Sequence, residues 1–458
     1  VSLALRYNGE VVNGDAMQLY SGLPIITNKI TVGERKGVPH HLLGCIDFGE
    51  PTWVVGTFVK RALRVIEEIR SRGKLPILVG GTHYYTQSLL FRDRLAETEE
   101  DGKGSEDKKD EEQGPLENLE DTYPILKEPT EKLLEKLQEI DPVMAARWHP
   151  NDRRKIQRSI EIYLQTGRKA SDIYAEQRLV SASGADSSSE ESDLRFPTLL
   201  FWIHAETETL RTRLDNRVDK MLSQGLLDEV TQLHKYATEQ SESGQPVDES
   251  RGIWVSIGFK EFKAYITALQ SGTASETDLQ VLKDEAIERT KIATRQYAKR
   301  QTRWIRLKLL QAVQAQAPKS QDESSEAGAK LYLLDGTFVP DFQKNVFTPA
   351  EDIAQAFLSD SPMPDPTSLS AAAAEQLSVK QDQDASKTPQ SWIRRQCDLC
   401  GVTCVTEKQW EAHARSRAHR RLVSKKRKLE EEEEVGEAKI EKRAEPDSGD
   451  VHEGKAEG

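Results

Sequence analysis

Residues 75–90 read LPILVGGTHYYTQSLL. Pro76-Ile77-Leu78-Val79 is short and apolar, which predicts a buried strand. Gly80-Gly81-Thr82 follows at once, and then a helix-like run. Upstream, Phe58 to Arg72 carries helical spacing and stops at Gly73. Helix, strand, glycine turn and helix in that order predict an α/β domain on a parallel sheet. Farther out, VSLALRYNGEVVNGD at 1–15 reads as the end of an amphipathic helix running into a strand that closes at Val11-Val12-Asn13. Phe196 to Ala205 is a strongly apolar strand, followed by a helix with Leu210, Leu214, Val218 and Leu222 at helical spacing. A long helix is expected over 279–313, then a short strand, Leu331-Tyr332-Leu333-Leu334, and a closing helix.

The 458 residues set a prior of about three domains. Apolar residues are 36% and charged residues 31%, enough for one or two cores but not for a core along the whole chain. A net charge of −12 excludes a uniformly basic nucleic-acid binder. It leaves a locally basic one open, because the acid is gathered in a few runs. No apolar stretch approaches the ~18 residues of a membrane helix, so no membrane partner is expected. Four cysteines in so long a chain do not make a disulfide scaffold. No internal repeat and no signal or transit segment can be read.

Composition divides the chain. Residues 1–94 form the first part of the α/β core, and 95–121 a disordered acidic insertion. Residues 122–195 form a helical region that ends in a second polar loop at 181–193. Residues 196–358 return to the α/β core and its long helices. Residues 359–390, rich in Ser, Pro, Ala and Gln, read as a linker. Residues 391–423 hold a metal motif, and 424–458 a disordered charged tail.

The motif is Cys397-x2-Cys400-x12-His413-x5-His419, the ligand spacing of a ββα zinc finger. Two thiolates on a tight turn and two imidazoles on one helix face can close a tetrahedron around Zn²⁺. A segment this small lacks a sufficient core, so the metal supplies its folding energy. The bland reading is a chance meeting of Cys and His in a tail. The five-residue His spacer resembles fingers of RNA-binding, matrin-type proteins. Arg394, Arg395, Arg415, Arg417, Arg420 and Arg421 surround the ligands, as a phosphate-binding footprint or as a solvated charged face. Cys404 is spare, and Cys45 reads as an ordinary packed thiol.

At the strand ends stand Asp15, Gln18, Thr27, Lys29, Gly80, Gly81 and Thr82, where open α/β sheets place ligands. Singly each is weak. Asp15 could cap a turn, and the glycines could simply make one. Together, however, VNGDAMQLYSGLPIITNK at 12–29, GVPHHLL at 37–43 and the 75–90 stretch resemble the tRNA dimethylallyltransferases, also called tRNA isopentenyltransferases. The similarity is to the eukaryotic and particularly the fungal form. It continues through NDRRKIQRSIEIYLQTGRKAS at 151–171, LRTRLDNRVDKMLSQGLLDEV at 210–230, GIWVSIGFKEF at 252–262 and TRQYAKRQTRWI at 294–305. A C-terminal zinc finger is typical of the eukaryotic members.

The resemblance implies a parallel sheet of the P-loop NTPase kind with a helical insertion domain. It implies transfer of a dimethylallyl group from dimethylallyl diphosphate to N6 of the adenosine beside the anticodon of tRNA. An exocyclic amine with a delocalised lone pair needs a carboxylate to take its proton, and Asp15 matches by position and motif. Arg217 matches the family's diphosphate-binding arginine, with Arg213 one turn earlier. Thr82 is expected to orient substrate, with Lys29 and Thr27 behind it. The base must leave its stack to reach Asp15, and Ala16, Met17 and Gln18 are expected beside it. Lys291, Arg295, Lys299 and Arg303 recur every four residues as a basic ridge for RNA, interleaved with Tyr297 and Trp304. Trp304 is expected in the core. Arg153, Arg154, Lys155, Gln157 and Arg158 match a family segment that contacts tRNA. Mg²⁺ is expected from the family as a counter-ion to diphosphate, although no ligand spacing shows it. The expected partners are the anticodon stem-loop and dimethylallyl diphosphate, with the chain a monomer.

One departure stands out. Family members carry G-x-x-x-x-G-K-[ST], a loop whose amides and lysine cradle diphosphate. These residues contain no such loop and open at Val1-Ser2-Leu3-Ala4, where the following helix is expected. Truncation is the favoured reading, and the 458-residue chain is then expected to bind diphosphate poorly and turn over little. Two further readings compete: a non-catalytic zinc-finger RNA-binding protein, and a phosphotransferase of the nucleotide-kinase type. The chain is expected in the cytoplasm, with mitochondria and nucleus as further compartments of the family. Lys425-Lys426-Arg427-Lys428 resembles a nuclear import signal or a further RNA-contacting patch.

Overall fold

The computed structural model describes residues 1–92, 122–182, 194–316, 329–378 and 392–428. The acidic insertion, most of the second polar loop and the tail beyond 428 lie outside the described residues. The chain divides into two compact units. One comprises Val1–Gly104 and Glu176–Asp382, the other Ser105–Ala175 and Gln383–Gly458.

The first unit opens with α1 (Ser2–Arg6), β1 (Gly9–Asn13), β2 (His40–His41), α2 (Val55–Ser71), β3 (Leu75–Val79) and α3 (His83–Leu90). The strands form a parallel sheet ordered β2-β1-β3, with Val11 opposite both His40 and Ile77. Every residue of central β1 is buried. The edge strand β3 is only half buried, and Val79 is 54% exposed, so the expectation of a buried strand at 76–79 is corrected. α2 turns Val55, Phe58, Val59, Ala62, Ile66 and Ile69 into the core. Phe58 stacks on Tyr85 of α3 with centroids 4.4 Å apart. Burying each such side chain contributes about 1.5–3 kcal/mol. α2 ends as its sequence predicts. Gly73 takes a φ of +67°, and the amide of Lys74 reaches back to the Ile69 carbonyl at 3.2 Å.

Glu10, buried in β1, receives Lys74 at 2.7 Å, His41 at 2.6 Å and Arg72 at 2.7 Å. The Lys74 ammonium above all, with His41 and Arg72, holds its carboxyl down at about 2.

The second unit contributes α4 (Thr130–Ile140), α5 (Pro142–Arg147) and α6 (Arg153–Thr166), and α7 (Ala170–Ala182) follows them in the chain. Asp141 caps α5 through the Met144 amide at 3.1 Å and also accepts the Ser171 amide at 2.8 Å.

Back in the first unit come β4 (Thr198–His204), α8 (Thr207–Ser223), α9 (Leu226–Glu242), α10 (Phe259–Ser271) and α11 (Glu276–Trp304). A π-helical turn, Ile305–Leu309, leads into α12 (Leu310–Ala315). That turn re-phases the helix, so Ile305, Leu309, Leu310 and Val313 are all buried. β5 (Ala329–Asp335) pairs in parallel with β4 in a second sheet, Thr198 opposite Ala329 and His204 opposite Asp335. α13 (Thr348–Leu358) and α14 (Ala371–Leu377) close the unit.

α14 corrects the linker expectation for 359–390. Ser370 caps it, and Ala373 and Leu377, one turn apart, are buried against the β4–β5 core. Tyr332 donates to the Pro364 carbonyl at 2.7 Å. The Ala-rich run hides an ordinary packed helix.

The finger region holds an antiparallel pair, β6 (Trp392–Gln396) and β7 (Thr403–Thr406), then α15 (Glu407–Ala414). Residues 417–428 are helical, so the first residues of the expected tail continue a helix. No helix among the described residues is long and apolar enough to cross a membrane.

Candidate active site and zinc centre

The ends of β1 and β3 meet at glycines. The Gly14 amide donates to the Val79 carbonyl at 2.8 Å, extending the ladder by one residue. Neither Gly80 nor Gly81 has a positive φ. Their smallness serves close approach instead. A Cβ on Gly80 would lie 2.2 Å from the Gly14 carbonyl carbon, and one on Gly81 would lie 3.3 Å from Asp15 Oδ2.

Asn13, buried at the end of β1, sets the backbone of Asp15. Its Oδ1 accepts the Asp15 amide at 3.0 Å, and its Nδ2 donates to the Asp15 carbonyl at 3.0 Å and the Leu42 carbonyl at 2.9 Å. The Asp15 carboxylate then accepts the Met17 amide at 2.9 Å. Thr82 joins from the other strand end, its Oγ1 accepting the Ala16 amide at 3.0 Å. Burial pushes the Asp15 carboxyl up from its ordinary value, against the pull of the Met17, Gln18 and Gly81 amides and of Arg217.

Arg217 on α8 faces this carboxylate. It keeps exposed surface. Burial lowers its pKa and Asp15 offsets part of that. Lys29 donates to the Gly22 carbonyl at 2.5 Å and to Thr27 Oγ1 at 3.0 Å. Burial brings the Lys29 ammonium down to about 8, with Glu229 and Asp15 opposing. Thr27 is itself buried and donates to the Leu23 carbonyl at 2.6 Å. Gln18 donates to the Asn28 carbonyl at 3.1 Å.

Arg213 lies elsewhere in function. Its two terminal nitrogens hold the carbonyls of Gly336 at 2.9 Å and Thr337 at 2.5 Å, in the loop after β5. The structure therefore gathers Asp15, Thr82, Arg217, Lys29 and Thr27, and gives Arg213 a different set of partners.

The ridge on α11 divides. Lys291 pairs with Asp219 at 2.7 Å and Arg295 with Asp215 at 2.6 Å, both on α8. Lys299 and Arg303 are exposed. Trp304 is half buried and donates to Gln87 at 3.1 Å. Tyr297 stays 37% exposed, with its hydroxyl 3.5 Å from the Gly81 carbonyl. Gln301 donates to that same carbonyl at 2.8 Å.

Asn13, Glu229 and Gln301 are site residues that sequence reasoning passed over. Glu229 accepts the amides of Ile25 at 3.0 Å and Ile26 at 2.8 Å and so holds the loop that carries Lys29. An acid at helical spacing with Leu226, Val230 and Leu233 was the available signal, and the structure buries it with them. Cys45 is exposed, against the expectation of a packed thiol.

In the second unit Arg153 holds the carbonyls of Glu128 at 2.5 Å and Leu126 at 2.7 Å. Lys155 pairs with Asp152 at 2.6 Å and lies 5.2 Å from the Trp148 ring centroid. Gln157 and Arg158 both meet Glu161, at 3.0 and 3.4 Å, and Arg154 is exposed.

The donor atoms of Cys397, Cys400, His413 and His419 lie within 4.8 Å of one another. Cys397 Sγ is 3.6 Å from Cys400 Sγ, and His419 Nδ1 is 3.2 Å from Cys400 Sγ. His413 Nε2 is buried without a hydrogen-bond partner. Two sulfurs and two imidazoles at these separations fit one tetrahedral Zn²⁺. Chelating the metal is expected to unfold the finger and release one zinc per chain. Cys400→Ser should lose the zinc under the same dialysis, and a variant that retains it would refute the assignment. Among the surrounding arginines, Arg395 pairs with Glu407 at 3.5 Å and Arg415 with Glu411 at 3.6 Å, while Arg394, Arg417 and Arg421 are exposed.

An acid at the strand ends of an α/β unit, an arginine from the helix opposite it and a Cys₂His₂ cluster in the same chain fit a group-transfer enzyme that carries a zinc finger. A family model described as IPP transferase matches residues 18–308, and one described as a zinc-finger of C2H2 type matches 395–419. The tRNA dimethylallyltransferase of Saccharomyces cerevisiae is 35% identical over 427 residues, 92% of this chain and 87% of that protein. Its namesake in Schizosaccharomyces pombe is 36% identical, covering 94% and 93%. A solved structure described as a eukaryotic dimethylallyltransferase acting on tRNA aligns with a TM-score of 0.68 at 31% identity, covering 95% and 94%. The chain belongs to the IPP transferase family.

Proposed function

We propose that this protein moves a dimethylallyl group from dimethylallyl diphosphate to N6 of the adenosine beside the anticodon in tRNA. The observation that carries the reading is the Asp15 carboxylate, aimed by the Met17 amide and faced by Arg217, at the strand ends of a chain in this family.

Asp15 accepts the proton of the amine as the carbon–nitrogen bond forms and the carbon–oxygen bond to diphosphate breaks. Arg217 opposes the charge that develops on the leaving diphosphate, with Lys29 a second cation in range of Asp15. Thr82 Oγ1 fixes the Ala16 amide and so the direction of the turn that follows Asp15. Mg²⁺ is proposed as the diphosphate's counter-ion on family grounds alone. The exposed Lys299, Arg303 and Arg154 are proposed to meet RNA phosphates, and the exposed finger arginines to extend that grip. We place the protein in the cytoplasm, with mitochondria and nucleus as further sites.

The test is incorporation of labelled dimethylallyl diphosphate into an anticodon stem-loop RNA. Label should enter only when the RNA carries adenosine at the target position. Transfer of the γ-phosphate from labelled ATP to a small acceptor, with no prenylation, would instead establish the kinase-type reading.

A further inference from the structure

The long helix α11 touches both halves of the candidate site without contributing a reacting group. Its C-terminal turns hold the glycine turn: Gln301 Nε2 lies 2.8 Å from the Gly81 carbonyl, and the Tyr297 hydroxyl lies 3.5 Å from the same oxygen. Its middle turns hold α8. Arg295 gives one nitrogen to both oxygens of Asp215, at 2.6 and 2.7 Å, and Lys291 reaches Asp219 at 2.7 Å. Asp215 and Asp219 lie one turn apart on one face of α8, and Arg217, two residues from each, projects from the other face, so these pairs fix the helix that carries the arginine. The Arg295–Asp215 pair is about three-quarters buried on each side, which weakens solvent screening. Trp304, bonded to Gln87, fixes the same helix against α3.

We propose that α11 is the bracket that sets the spacing between the Asp15 carboxylate and the Arg217 guanidinium, with Gln301 and Arg295 as its positioning residues. This rests on the transferase reading above. It also moves Lys291 and Arg295 from the RNA-facing ridge to the inner frame of the site. A proton acceptor and a leaving-group cation act on opposite ends of one displacement, so a small change in their separation carries a large rate penalty.

The experiment uses the full chain and measures kcat and KM for stem-loop RNA. Asp215→Asn and Arg295→Ala are each expected to lower kcat about tenfold with KM for RNA unchanged within about twofold. The reversed pair, Asp215→Arg with Arg295→Asp, should recover most of that loss. Gln301→Ala should lower kcat by a similar factor. It should also speed hydrogen exchange at the Ala16 and Met17 amides, whose acceptors are Thr82 and Asp15. The bracket is overturned if Arg295→Ala raises KM for RNA while Asp215→Asn changes nothing, since Arg295 is then an RNA contact. It is overturned equally if the Ala16 and Met17 amides exchange unchanged in Gln301→Ala. An unsubstituted chain with no prenylation bears on the activity reading instead, and amide exchange in Gln301→Ala then decides the bracket by itself.

Discussion

Asp15→Asn is expected to lower the rate of the chemical step by about 10²–10⁴ while leaving the fold and RNA binding nearly intact. Asparagine keeps the shape of the side chain and an oxygen for the Met17 amide, and the backbone of residue 15 is still held on both sides by Asn13. What it loses is the capacity to take a proton. Single-turnover prenylation with saturating RNA reads that step directly. A variant within about threefold of the parent would remove Asp15 from the chemistry.

The pH profile carries the same claim independently. Burial raises the Asp15 pKa above the usual carboxylate value, and the base works only when ionised. Activity is therefore present above that raised pKa and lost as pH falls through it. Arg217 favours the ionised form, so Arg217→Gln should push the acid limb to higher pH as well as lower the plateau. An acid limb that stays put in Arg217→Gln would mean the two groups do not share a site.

Much of this site was legible in the amino acids, and the reason is local. Strand, glycine turn and helix are written within 75–90, and Asp15 stands directly after a strand. The zinc ligands are legible for the same reason, since two short spacings fix them. What escaped is non-local. Gln301 matters because its amide meets the Gly81 carbonyl, 220 positions away. Glu229 matters because it caps amides of a loop 204 positions upstream. Arg213 reads as a second diphosphate cation and Arg295 as part of an RNA-facing ridge, and only the partners at Gly336, Thr337 and Asp215 reveal what they hold. The helix at 371–377 was hidden by composition, because alanine packs well but reads as low complexity.

Gly80→Ala is expected to be the most damaging single methyl group in the first unit. The added carbon would lie 2.2 Å from the Gly14 carbonyl carbon, 2.4 Å from its oxygen and 2.6 Å from its Cα. These are backbone atoms, so no rotamer relieves the overlap. Gly14 is pinned by its amide to the Val79 carbonyl at 2.8 Å, and moving it breaks the β1–β3 ladder at the residue before Asp15. A cost of at least ~3 kcal/mol follows, at the upper end for overpacked sites. For a unit of this size that is a fall of about 5 °C in Tm. Gly81→Ala separates stability from chemistry. Its methyl would meet Gln301 Nε2 at 2.5 Å and Asp15 Oδ2 at 3.3 Å, both the ends of side chains that can swing away. That variant should fold with a nearly unchanged Tm and lose activity, because what yields is the carboxylate and the amide that frames it. Gly33→Ala, with nothing within 4 Å of the added carbon, is the control and should change neither. Calorimetry and prenylation on the three variants together decide the matter. Equal melting of Gly80→Ala and Gly33→Ala would show that the two strand ends do not meet at these glycines.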